Sequence, residues 1–142
     1  MTISVQNRQR KHRLDLGVLR QFAAAALDAV RALPGENGDQ FPILQHVGAI
    51  LVSDRRIARL HFDFMQISGP TDVLTFDEGD IVISVETAAR HAAEYSQSLQ
   101  QEVGLYILHG LLHLRGFDDL NPKAAARMNA CQNKIFDELT AT

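Results

Sequence analysis

His109-Gly110-Leu111-Leu112-His113-Leu114-Arg115-Gly116-Phe117-Asp118-Asp119 decides how this chain is read. Residues at i and i+4 of a helix project from one face with Cβ atoms about 5–6 Å apart, so His109 and His113 are spaced to clasp one divalent ion. Gly116 stands where that helix should end, because glycine enters the left-handed conformation without a Cβ penalty. The chain can then reverse, and Asp118 or Asp119 can return as a third ligand. Both histidines lie in an otherwise apolar helix, where an unpartnered imidazole is costly, so a shared cation accounts for them better than two unrelated roles.

Working outward, the metal-site helix spans roughly Leu99 to Arg115 and is apolar all round, as expected of a helix buried in the core. Asn121-Pro122 is a capping side chain followed by proline at the first helical position, and starts an amphipathic helix to about Leu139. Toward the N-terminus, Thr2 to Gln6 alternates as a strand. Leu14 to Leu33 carries apolar residues at helical spacing, with Asp15 suited to its dipole. Pro34 to Gly38 is a loop, and Val47 to Val52 a buried strand followed by a helix that Ser53 caps through about Phe64. Val73, Leu74 and Phe76 form a strand, and Asp77 to Asp80 a tight turn into Ile81-Val82-Ile83, which makes an antiparallel hairpin. Ser84 caps a helix to about Ser96, with Glu86 in its first turn. The order β-α-β-α-β-β-α-α-α points to an α+β layer around a small mixed sheet.

A length of 142 residues is read as one domain covering 1–142, large enough to bury about 68–70% of its unfolded surface without a disulfide. The lone Cys131 excludes an intrachain disulfide, fits a reducing compartment, and reads as a small apolar helix residue. The N-terminus lacks the apolar core of a signal peptide, and no run reaches the roughly 20 apolar residues of a membrane span, so a cytoplasmic protein is expected. A net charge of −3 argues against a strongly basic nucleic-acid binder. Arg8, Arg10, Lys11 and Arg13 nevertheless cluster around His12, a run more often solvated than phosphate-bound.

The H-x3-H-x2-G-x2-D spacing parallels the metzincin metallopeptidases, whose third ligand also follows a glycine turn. Peptidases of the H-E-x-x-H kind place a glutamate general base after the first histidine. Here that position is Gly110, which weighs against peptide hydrolysis.

Three segments together resemble the YbeY family, bacterial single-domain endoribonucleases linked to ribosomal RNA maturation and ribosome quality control: Pro70-Thr-Asp-Val-Leu-Thr-Phe76, Gly79-Asp-Ile-Val-Ile-Ser84 and His109 to Asp119. The resemblance covers about Val47 to Asn133. It implies a mixed four-stranded sheet flanked by helices, a metzincin-like metal-site helix, and one zinc ion on three side chains with a solvent position open. It also implies single-stranded RNA as substrate, with ribosomal RNA and the small ribosomal subunit as partners. Asp119 stands where the family usually has a histidine. A carboxylate also binds zinc, although two histidines and a carboxylate admit other divalent ions. Met65 stands where the family commonly has an arginine, leaving phosphate contact to Arg59, Arg115 or the basic N-terminal run.

On that resemblance His109, His113 and Asp119 hold the ion, and RNA phosphodiesters are hydrolysed with a metal-bound water. Arg115 and Asp118 are the further catalytic candidates. Arg115 would meet phosphate or remain solvated, while Asp118 would orient a ligand or serve equally well as a turn residue. Gly110 would admit close approach of backbone or substrate, or pack the helix. Asp80 is read as finishing the hairpin turn, and His12, His46, His61 and His91 as structural or exposed. The rival readings are a non-catalytic ribosome-assembly factor with a structural metal and a metallopeptidase-like hydrolase.

Overall fold

The computed structural model describes residues 1–141. Its elements run β1 (Thr2–Asn7), α1 (Leu16–Arg31), β2 (His46–Val52), α2 (Asp54–Met65), β3 (Val73–Thr75), β4 (Asp80–Ser84), α3 (Val85–Glu94), α4 (Leu99–Leu114) and α5 (Pro122–Thr140). This is the expected α+β order, with small shifts at the ends. α1 starts at Leu16 because Asp15 lies outside it and caps it, its side chain accepting from the Val18 amide. Phe76 falls just outside β3, where its amide bonds the carbonyl of Asp80 and closes the hairpin.

The four strands form one mixed sheet in the order β1-β2-β4-β3. β2 runs parallel to both β1 and β4, and β3 pairs antiparallel with β4. The central strand β2 is nearly continuous in apolar residues because it is covered on both faces. Its two-residue period divides the core. Val47, Ala49 and Leu51 join Ile81 and Ile83 of β4 in the main cluster with Leu19, Val30, Ile107, Leu108 and Leu111. Val52 and Val82 point the other way, onto Ile57 of α2 and Leu74. No helix among the described residues is long and apolar enough to cross a membrane.

Helix α4 sits deepest, with ten of its residues buried. Ser98 and Gln101 close a reciprocal capping box at its start. Gly110 lets it lie directly on β4, since a Cβ there would fall 2.6 Å from Ile81 Cγ2. Of the two roles open to Gly110, helix packing is the one the structure displays. That close approach fixes the height of His109 and His113 above the sheet.

Candidate metal centre

The end of α4 builds the site. The amide of Phe117 bonds the carbonyl of Leu112, and that of Gly116 bonds the carbonyl of His113. This is a Schellman ending with glycine at the left-handed position, φ +101°. A Cβ at Gly116 would also lie 2.7 Å from the carbonyl oxygen of Glu36. Both the reversal and the packing of the 36–40 loop therefore require glycine there.

The reversal carries the Phe117 carbonyl back over the helix, where its oxygen lies 3.1 Å from His113 Nδ1. From α5, Gln132 Oε1 lies 2.7 Å from His109 Nδ1. Facing an oxygen, each Nδ1 is the protonated nitrogen of a neutral ring, which leaves a lone pair on each Nε2. The two Nε2 atoms stand 3.0 Å apart. Two lone pairs at that distance repel unless a cation lies between them, and one ion with metal–nitrogen bonds of about 2.0–2.1 Å reaches both. Burial, and then the neighbouring His109, lower the pKa of His113, which keeps the ring neutral and ligand-competent. The carboxylate of Asp119 completes a trio whose ligand atoms lie within 4.8 Å of one another.

Asp118 does not join the trio. Its Oδ1 accepts the amide of Leu120, spanning Asp119 in an Asx turn that sets where the Asp119 carboxylate projects. The turn reading of Asp118 is the one this hydrogen bond displays. Both aspartates line a cavity of about 480 Å³ with the two histidines, Asp72, Asp77 and Met65. Among the described residues no lysine or arginine lines it, so the chamber itself favours a cation.

Arg115 is elsewhere. Its guanidinium bonds Asp39 at 2.8 Å and the Leu33 carbonyl at 2.6 Å, and lies 5.0 Å from the centre of the Phe41 ring. Of phosphate contact and solvation, the two roles expected of Arg115, the structure displays neither; its donors anchor the 33–40 loop against the end of α4. Asp80 opens β4 and lies away from the histidine cavity, as expected of a residue closing the turn. His46, His61 and His91 bond Thr2 and Ser4, the Gly69 carbonyl and Tyr106, respectively. Sequence reasoning missed Gln132. Its only sequence signal is a polar residue in the middle of α5, and its partner lies 23 positions away on another helix.

A mixed sheet carrying a His-x3-His helix, with a returning carboxylate beside the two imidazoles, points to a small metal-dependent hydrolase. The profile of the endoribonuclease YbeY family matches residues 4–140, and the chain belongs to that family. The endoribonuclease YbeY of Heliobacterium modesticaldum is 37% identical over 140 residues, covering 84% of this chain and 80% of that one. That of Moorella thermoacetica is 34% identical over 155 residues, covering 96% of each. The solution structure of a Thermotoga maritima protein superposes with a TM-score of 0.68 at 25% identity, covering 97% of this chain and 89% of that one.

Proposed function

We propose that the chain is a metal-dependent endoribonuclease, specific for single-stranded RNA and acting in the maturation and quality control of ribosomal RNA on the small ribosomal subunit in the cytoplasm. One zinc ion held by His109, His113 and Asp119 is the proposed cofactor. The observation that carries this reading is the confrontation of the two Nε2 lone pairs beside a carboxylate in a chamber that, among the described residues, no lysine or arginine lines. Such an ion, when bound, acidifies a coordinated water and offsets charge gathering on phosphorus.

The protein's own groups supply the rest. Gln132 and the Phe117 carbonyl orient the two rings and fix their tautomers. Asp118 acts as a positioning residue through the Leu120 amide, holding the turn from which Asp119 reaches the ion. Asp72 and Asp77 add negative charge to the chamber, which a bound cation would offset beside the scissile phosphate. A chelator-sensitive cleavage assay on single-stranded RNA tests the reading, with rescue by zinc set beside rescue by manganese and nickel. Cleavage that survives chelation in wild type and in His113→Ala would overturn it.

A non-catalytic assembly role draws on Met65, whose thioether cannot clamp phosphate as an arginine would. Structural zinc sites, however, close with four protein ligands, and three ligands leave a catalytic corner. The peptidase reading loses further ground from Gly110, since a glutamate at that position would be driven into Ile81.

A further inference from the structure

The metal cavity does not end at the histidines. Met65, Leu74 and Thr75, which line it, also line an adjoining apolar recess of about 240 Å³ with Phe64 and Phe76. Phe64 is 64% exposed although it is a large apolar side chain. It meets Phe76 edge to face, with ring centroids 5.3 Å apart. The same two rings line a further cavity of about 340 Å³, into which Arg8 and Arg56 enter alongside Glu78 and Asp80. Arg56 belongs to the run Arg55, Arg56 and Arg59 on α2, the helix that ends in Phe64 and Met65.

Metal site, apolar recess and arginine cavity thus follow one another along a continuous surface. That sequence matches a polynucleotide strand, in which phosphates alternate with flat apolar bases. A patch evolved only to meet another protein has no need to open into a metal chamber on one side and an arginine cavity on the other. We propose that Phe64, Phe76 and Met65 form a base-stacking platform for single-stranded RNA next to the scissile phosphate, with Arg56 and Arg8 meeting a neighbouring backbone phosphate. This deepens the endoribonuclease reading and rests on it. Met65 then has a purpose of its own, because a thioether packs against a base face where a charged side chain would be desolvated.

The test is equilibrium binding of a short fluorescent single-stranded RNA, in chelator so that no hydrolysis intervenes, beside cleavage of the same RNA with metal restored. Phe64→Ser should weaken binding roughly tenfold or more at unchanged salt dependence. It should leave the weak binding of an abasic oligomer unaltered. Arg56→Glu should instead reduce the slope of log affinity against log salt by about 0.7 for each phosphate the protein no longer neutralises. Phe62→Ser, on the same helix but outside the recess, should bind as wild type does. Unchanged affinity in Phe64→Ser overturns the platform. If wild type still cleaves RNA, the platform alone falls; if wild type neither binds nor cleaves, the endoribonuclease reading falls with it. Unchanged RNA binding with a loss of self-association on sedimentation would assign the patch to a second copy of the chain, and would also overturn the platform.

Discussion

His113 Nδ1 lies 3.1 Å from the carbonyl oxygen of Phe117, the residue just past the glycine that ends their helix. The helix terminator and the proposed metal ligand are therefore parts of one device. The turn that stops α4 also supplies the acceptor that fixes the tautomer of its second histidine, and two residues later it delivers Asp119.

Gly116→Ala is expected to damage stability and metal binding together. The positive φ alone costs about 1–2 kcal/mol for a residue with a Cβ, and the clash with the Glu36 carbonyl adds to it. Thermal unfolding should show a lower Tm, and competition with a fluorescent chelator a weaker metal affinity. A variant that unfolds earlier but binds metal as tightly as wild type would separate the turn from the site.

Gln132→Leu should leave the fold intact and lower metal affinity about 10- to 100-fold, the usual cost of losing an outer hydrogen bond to a ligating histidine. Gln132→Glu, which keeps an acceptor opposite His109 Nδ1, should recover most of it. Chelator competition on both variants checks the pair, and equal losses in the two would show that Gln132 only packs.

Arg115→Ala is expected to destabilise by about 2–3 kcal/mol, because it leaves the carboxylate of Asp39 without its partner in a place where both side chains are only 16% exposed. The salt dependence of RNA binding should not change. A reduced salt slope with unaltered Tm would return Arg115 to the substrate.

The acid limb of the stability curve should depend on Asp54. Burial alone would raise its pKa, but hydrogen bonds from Arg90, Ser84 and Thr87 outweigh burial and lower it from 3.8 to about 2. The unfolded chain therefore binds more protons between those values. The stabilisation is complete above the unfolded pKa and is lost as pH falls through the folded one. Asp54→Asn should flatten that limb in urea unfolding followed from about pH 5 downward, and an unchanged limb would remove Asp54 from the account. Arg90→Ala should cost less than Asp54→Ala, because the arginine side chain is 57% exposed and its pairing is screened.

Much of this fold was legible because its boundaries are local chemistry. Ser53, Ser84 and Asn121 cap the helices they precede, each through a side chain accepting from a backbone amide of the first turn. The clustering of His109, His113 and Asp119 was legible for the same reason, since they lie within one turn and its reversal. What could not be read are interactions between distant segments. Arg115 looked exposed beside the site because nothing in its neighbourhood announces Asp39 and Leu33, 76 and 82 positions earlier. Gln132 was silent because helix packing, not spacing, brings α5 against α4. Gly110 is open to two roles, a gap for substrate or for packing, until Ile81 is seen beneath it.

The most direct test is metal content per chain by elemental analysis of the purified protein after dialysis against trace zinc, for wild type beside His109→Ala and Asp119→Ala. One ion per chain in wild type, lost from His109→Ala and weakened or lost in Asp119→Ala, is expected from lone pairs that face each other at 3.0 Å. A wild-type protein that takes up no ion, or a His109→Ala variant that keeps a full complement, would contradict the metal centre and the hydrolytic role built on it.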